Sequence, residues 1–419
     1  MKSVVNITEN GLCVGCGICK AICPKNAIEK VNDHGVYVPK IDMDKCIDCG
    51  LCYKLCPGRG FEYKGYYSQN NIDMPNDLYV GNYSNIYNGK IKDDKLLLKT
   101  ASGGFTTNLI NFSLEKSIYN VAFLVDTYKY TDEVKTNPYY RKEDLFNTSR
   151  SRYIPVSQEN TVRYMLGNRS NKVIIVATSC CVHAILNVIS YYKLNRENYL
   201  IIGLFCEKTM NENVYNYFSE HPNCKKEIEN LFFKNKEAGG WPGNVRLEYT
   251  DGTYTDLPNT ERMKVKDYYM LEKCLYCLDK LNQFADISVG DNYTKDTTET
   301  VGSSSVIIRT EQGEKIFDLI KDSFEYNTTT MDKIKVAQHI ETRKLNSAYI
   351  KLKESEDLIE PFQNIKNYRN IKNKYTDYLK KIKIGKNGGY KEIMADIKKR
   401  NTFTRKVIRK IKRILIDKI

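Results

Sequence analysis

Cys13-Val-Gly-Cys16-Gly-Ile-Cys19-Lys-Ala-Ile-Cys23-Pro24 returns as Cys46-Ile-Asp-Cys49-Gly-Leu-Cys52-Tyr-Lys-Leu-Cys56-Pro57. Each half reads C-x2-C-x2-C-x3-C-P, the run that wraps a [4Fe–4S] cube. Three thiolates on one tight turn reach three irons of one cube. Gly15, Gly17 and Gly50 let backbone N–H groups approach its sulfides. The proline turns the chain away, so the fourth thiolate comes from the other half. That assigns Cys13, Cys16, Cys19 and Cys56 to one cluster, and Cys46, Cys49, Cys52 and Cys23 to a second.

Two other readings compete. Zinc prefers paired C-x2-C or Cys/His mixtures, and none of the four His lies inside either run. Disulfides need an oxidising compartment, and no secretory signal is legible before the motif. The repeat resembles the bacterial two-cluster ferredoxin fold over roughly residues 7–60. The expectation is an α+β ferredoxin-like module at 1–62 through which electrons pass.

The chain has 419 residues, enough for that module, one sizeable core and an appendage. No apolar run approaches the ~20 residues of a membrane-spanning helix, which reads as a cytoplasmic protein, soluble or peripheral. The net charge of +14 sits entirely in the tail: residues 321–419 hold 26 Lys and Arg against 12 Asp and Glu. The first 320 residues are neutral, so the body has no nucleic-acid footprint.

Residues 61–95 are polar, rich in Tyr and Asn and poorly periodic, which reads as a long surface connection. Ser102-Gly103-Gly104 precedes a helical pattern from Thr106 to Lys116, where free N–H groups could hold a phosphate. Val121 to Val125 reads as a buried strand, and a basic group of Arg150 and Arg152 with Tyr153 follows. Val173 to Ala177 and Leu200 to Phe205 are apolar runs suited to strands covered on both faces. With a helix from about His183 to Lys193 they form a β-α-β unit. Thr178-Ser179-Cys180-Cys181 is the loop after the first strand, and Cys206 ends the second. Open α/β sheets bind ligands at such carboxyl ends. Further on come a turn at Gly239-Gly240-Trp241, a hairpin at 244–256 with Asp251-Gly252 at its tip, and Cys274-x2-Cys277. Val306 to Ile308 reads as a strand and Thr310 to Ile320 as a helix.

Free cysteine is usually a small buried side chain. Two cysteines end adjacent strands, however, and two form a C-x2-C pair. Spacing therefore leaves open whether Cys180, Cys206, Cys274 and Cys277 are core residues or a third cubane site. Cys224 reads as an ordinary thiol.

From about residue 80 to 320 the chain resembles the beta-subunit family of the coenzyme F420 hydrogenases and dehydrogenases. The matching residues are Ser102-Gly103-Gly104, Arg152-Tyr153, Thr178 with Cys180, Cys206, Gly240-Trp241, Cys274 with Cys277, and Ala285-Asp286-Ile287 through Gly290-Asp291. The resemblance implies an FAD contacted by Ser102, Gly103, Gly104, Arg152, Gly240, Trp241, Asp286, Gly290 and Asp291. It also implies a cubane beside the flavin on Cys180, Cys206, Cys274 and Cys277. Ser179 and Cys181 stand where the family has proline and glutamine, and Glu207 and Lys208 where it has histidine and glycine. The site lining therefore differs, and Cys181 is an alternative ligand to Cys180. His183 and Glu207 lie near the site in sequence and read as ordinary helix and loop polarity.

These readings give an α/β flavin/iron–sulfur core with a mainly parallel sheet at 63–325 (parts at about 80–165 and 170–325) and a basic helical tail at 326–419. Electrons enter from a ferredoxin or a redox partner, cross three clusters and FAD, and reach a small organic substrate. The alternative is an electron relay without flavin or substrate. From Phe403 onward, Val407, Ile408, Ile411, Ile414, Leu415 and Ile419 share one helical face amid Lys and Arg. Docking on the protein's own core, an acidic partner or an anionic membrane surface all fit that face.

Overall fold

The computed structural model describes residues 2–126, 133–141, 148–294, 300–359 and 369–402. The cysteine repeat folds as two turns of one shape. Gly17 (φ 69°) precedes the short helix Ile18–Ala21, and Gly50 (φ 68°) precedes Leu51–Lys54. A side chain would be strained at either φ, and a Cβ on Gly17 would stand 2.4 Å from Ser157 Oγ. Between the halves runs an antiparallel hairpin of β1 (Ile28–Asp33) and β2 (Val36–Ile41), turning at His34 and Gly35, both at positive φ.

The remaining strands are β3 (Asn85–Ile91), β4 (Val121–Leu124), β5 (Asn137–Tyr139), β6 (Val173–Thr178), β7 (Tyr199–Leu204), β8 (Ile228–Asn235), β9 (Asn244–Tyr249), β10 (Tyr254–Leu257), β11 (Ile287–Asp291), β12 (Ser304–Ile308) and β13 (Phe324–Thr328). Eight of them form a sheet in the order β13-β3-β12-β11-β7-β6-β4-β5. Its centre is parallel, β4 to β6 to β7 to β11. Both margins are antiparallel. The sheet is therefore mixed, not mainly parallel as expected. β12 pairs with β11, and β5 with β4, as antiparallel neighbours consecutive in the chain.

Alternate residues of β6 and β7 explain the continuous apolar runs. Val173, Ile175, Tyr199 and Ile201 face one core, shared with the helix Ser179–Tyr191 and the ferredoxin-like module. Ile174, Leu200 and Ile202 face the other, under the helices Phe105–Glu115 and Glu311–Ile320. The hairpin expected at 244–256 is β9–β10, and β8 joins it to make a separate three-stranded sheet.

Two expectations need correction. Residues 61–95 are not a surface connection. Phe61, Tyr63 and Tyr67 are buried, the helix Tyr63–Gln69 packs its rings around Phe284 and His183, and β3 enters the main sheet. Tyrosine carries a large apolar ring under its hydroxyl, so polarity alone misjudged the segment. Nor do Ser179, Cys180 and Cys181 form a loop. Thr178 caps the helix that starts at Ser179, so the strand feeds it directly.

The described part of the tail docks on the protein's own body. Tyr375 Oη lies 2.7 Å from Tyr276 Oη, Tyr269 Oη donates to the Gly388 carbonyl, and Ile393 is fully buried. Helix Arg369–Asn387 runs through Gly385, where a Cβ would stand 2.1 Å from the Tyr268 carbonyl. The amphipathic stretch from Phe403 lies outside the described residues. Among those described, no helix is long and apolar enough to cross a membrane.

Candidate redox site

No disulfide joins any two of the chain's cysteines. The thiols of Cys13, Cys16, Cys19 and Cys56 lie close enough to raise one another's pKa. Cys52 is similarly coupled to Cys46 and Cys49, and Tyr192 is flanked by Cys49 and Cys23. Burial pushes Cys56 up to about 12, and Cys16 and Cys19 well above the ordinary thiol value. Positive charge such as iron makes buried sulfurs anionic. Backbone donors are in place: Gly15 N–H to Cys13 Sγ (3.5 Å), Ala27 N–H to Cys23 Sγ (3.3 Å) and Gly58 N–H to Cys56 Sγ (3.3 Å). Hydrogen bonds to sulfur are one means by which proteins set cluster potentials.

A third set gathers across the main sheet. The Cys206 thiol is coupled to Cys274, Cys180 and Cys277, and Cys274 to Cys277 and Cys180. Burial pushes Cys274 up to about 12, and Thr209 N–H donates to its sulfur at 3.4 Å. Cys180, in the first helical turn, is drawn below the ordinary thiol value by a hydrogen bond from Cys181. Cys181 is itself buried and faces Cys180 and Cys16, whereas Cys180 is the one grouped with the other three. Lys273 is buried with its charge toward Cys277, Cys56, Cys180 and Cys274, which places the third set beside the N-terminal module. Among the described residues no three Cys, His, Asp or Glu converge on a single metal-ion site. The donor chemistry fits a cluster at each set.

A cavity of about 1190 Å³ opens at the carboxyl ends of β4, β6, β7 and β11. It exceeds the ~300–1,000 Å³ of common ligand sites. Cys180, Cys206 and Cys274 form part of its wall, as do Ser102, Gly104, Arg152, Gly290 and Asp291. The helix Phe105–Glu115 starts at this wall after Gly104 (φ 77°), with no side chain capping its first N–H groups. Free N–H groups at a helix start suit a phosphate.

Other residues carried by the resemblance lie elsewhere. Gly103 packs between strands: a Cβ there would stand 2.4 Å from the Gly89 carbonyl and 2.5 Å from Ser304 N. Trp241 packs on Tyr293, and its buried indole N–H has no partner among the described residues, while Gly240 fits under the Thr300 carbonyl. Asp286 is not a cavity residue. It sits just before β11, at the opposite end of the strand from Asp291. There it accepts two hydrogen bonds from Arg196 and one each from Ile201 N–H and Thr310. His183 is buried against Asp279 and stacks on Phe61, away from the cavity.

Several groups at the site had no signal in the sequence. Lys234 and Lys236, two apart on extended chain, share one face and are both buried. Lys234 Nζ grips both oxygens of Asp291 at 2.6 and 2.7 Å. Lys236 Nζ donates to the Ser102 and Val301 carbonyls, and burial pulls it down to about 7. Burial favours the neutral form of Glu207, but Lys208, Lys266, Lys280 and Arg343 outweigh it and hold the carboxyl down to about 2. Glu207 therefore stays charged at neutral pH.

Comparison with known proteins adds relatives. Residues 170–334 match the family described as the carboxyl terminus of the coenzyme F420 hydrogenase/dehydrogenase beta subunit, and residues 12–59 match a 4Fe-4S dicluster domain. The chain is 25% identical over 332 residues to one of the subunits of the F(420)H(2) dehydrogenase of Methanosarcina mazei, covering 77% of this chain and 86% of that one. It is 25% identical over 369 residues to the coenzyme F420-dependent sulfite reductase of Methanocaldococcus jannaschii, covering 82% of this chain and 52% of that one. A chain in the solved F420-reducing [NiFe] hydrogenase complex of Methanosarcina barkeri shares the fold. Its TM-score is 0.52 at 20% identity, covering 69% of this chain and 100% of that one.

Proposed function

We propose that this chain, which belongs through residues 170–334 to the coenzyme F420 hydrogenase/dehydrogenase beta-subunit family and carries a 4Fe-4S dicluster domain at 12–59, is an iron–sulfur flavoprotein oxidoreductase. It takes electrons from a redox partner and delivers them to a small organic substrate. One observation carries the reading. The N-terminal thiols adjoin Cys180, Cys206, Cys274 and Cys277 across Lys273, and three of those four line a cavity large enough for a flavin and a substrate. Bound here, [4Fe–4S] clusters carry single electrons and FAD exchanges one or two.

The chain's own residues would divide the work as follows. Cys13, Cys16, Cys19 and Cys56 hold one cube, Cys23, Cys46, Cys49 and Cys52 a second, and Cys180, Cys206, Cys274 and Cys277 a third. The start of the helix Phe105–Glu115, with Ser102 and Gly104, holds the phosphates of FAD, and Gly290 and Asp291 border it. A Cβ on Gly290 would enter the Phe205 ring, so this strand end lies flat against its neighbour. Glu207, fixed as an anion, sets the charge of the cavity and donates no proton near neutral pH. Cys49 is exposed, as are Met43 (74%) and Ile47 (56%) a few residues before it, which would give the partner an apolar contact.

Anaerobic purification with iron, sulfide and flavin counts tests this. We expect roughly 12 iron atoms and one FAD per chain; about eight irons without flavin would replace the enzyme with an electron relay.

A further inference from the structure

The motifs that supply cysteines end before β12, yet a later segment closes over them. The helices Met331–Ala337, Ile340–Arg343 and Leu345–Leu352 follow β13 and fold back onto the third cysteine set. Arg343 Nη2 donates to the carbonyls of Cys206 (3.1 Å) and Glu207 (2.6 Å), and its Nη1 to that of Cys277 (3.4 Å). Asn346 Nδ2 donates to the carbonyls of Cys274 (3.2 Å) and Cys277 (2.7 Å). Both side chains are more than nine-tenths buried. Arg343 makes no direct ion pair among the described residues, and its charge faces the Cys206, Cys274 and Cys277 thiols as well as the Glu207 carboxylate.

Two backbone segments far apart in sequence, one after β7 and one over residues 272–277, bear these cysteines. A rigid planar fork that bonds both fixes their separation better than packing alone. A cluster held by thiolates gains negative charge on reduction, so a cation beside it favours the reduced form. We infer that Arg343 and Asn346 are positioning residues for the third cluster: together they lock the spacing of Cys206, Cys274 and Cys277, and Arg343 raises that cluster's potential. The inference rests on the reading above that these cysteines hold a cluster.

The test uses the full chain, purified anaerobically with its clusters. Iron release to a ferrous chelator and potentiometric titration with dithionite, followed by EPR, are measured for Arg343→Gln, Arg343→Lys and Asn346→Ala. Arg343→Gln should lower one midpoint potential and release about a third of the iron roughly tenfold faster than the parent. Arg343→Lys should keep the parental potential but share the faster release. Asn346→Ala should speed release without moving the potential, and these two variants decide the matter if Arg343→Gln does not fold. A parental potential in Arg343→Gln overturns the charge role, and parental release in all variants overturns the positioning role. Cys274→Ser separates the two levels. If it leaves iron content unchanged, no cluster sits there and the underlying reading fails. If it removes about four irons while the other variants behave as parent, only the positioning inference fails.

Discussion

Removing the carboxylate from Asp291 tests whether the end of β11 is held by charge. Lys234 Nζ sits 2.6 Å from one oxygen and 2.7 Å from the other, with 1% of the lysine side chain exposed. Tyr293 adds a hydrogen bond at 3.1 Å, while Gln338 bonds only the Asp291 backbone carbonyl. Asp291→Asn keeps one acceptor but leaves a buried ammonium without its counter-charge, next to the second buried amine of Lys236. Breaking a buried pair from one side costs about 3–5 kcal/mol. The amide oxygen that remains, and the 17% exposure of the Asp291 side chain, place this case near about 3 kcal/mol. That is a large part of the ~5–15 kcal/mol that holds a protein folded. Lys234→Met should be damaging for the mirror reason, because it strands the carboxylate. The double variant removes both charges and should recover about 2 kcal/mol relative to the sum of the single losses. Urea titrations of anaerobic protein at pH 7.5, followed by far-UV circular dichroism, measure all three. An Asp291→Asn midpoint within about 1 kcal/mol of parent, or strictly additive losses, would refute the reasoning.

Gly103→Ala should cost about 1–3 kcal/mol and lower flavin content, because its Cβ meets backbone atoms of two strands; a parental urea midpoint contradicts this. Burial holds Lys236 down to about 7 against an ordinary 10.5. Between those values the unfolded chain binds the extra proton, so this group's contribution to stability rises with pH, at most ~1.4 kcal/mol per unit, and is flat below pH 7. The stability of the parent relative to Lys236→Met should therefore climb from pH 7 to 9, and a constant difference would show that the amine does not titrate there. Glu207→Gln should leave the limbs of the pH–rate profile between pH 5 and 8 in place, since the carboxyl is held down to about 2. A limb displaced by about half a unit or more would make it a proton donor after all.

The sequence by itself determined the parts whose meaning is local. The cysteine repeat dictated two matching turns, because spacing and left-handed glycines are properties of a few consecutive residues. The apolar runs at 173–178 and 199–204 announced strands covered on both faces, and a β-α-β unit follows from their order. Motif likeness pointed to Ser102, Gly104, Gly290 and Asp291, which the fold gathers at one cavity wall. It also reached Asp286, only a few residues before Gly290, and there it misled. A strand carries its two ends to opposite edges of the sheet, so neighbours in sequence serve different places.

Only the tertiary structure decided the rest. Charged residues are usually solvated, so nothing local marked Lys234, Lys236 or Arg343 as buried; their partners lie tens of residues away or more. The antiparallel margins of the sheet were likewise hidden, since pairing direction depends on where each loop lands and not on strand composition. The tyrosines of 63–67 looked polar because a sequence shows the hydroxyl and not the ring packed against Phe284. Spacing names the ligands of a site, but the long-range packing that surrounds them sets their charge and separation.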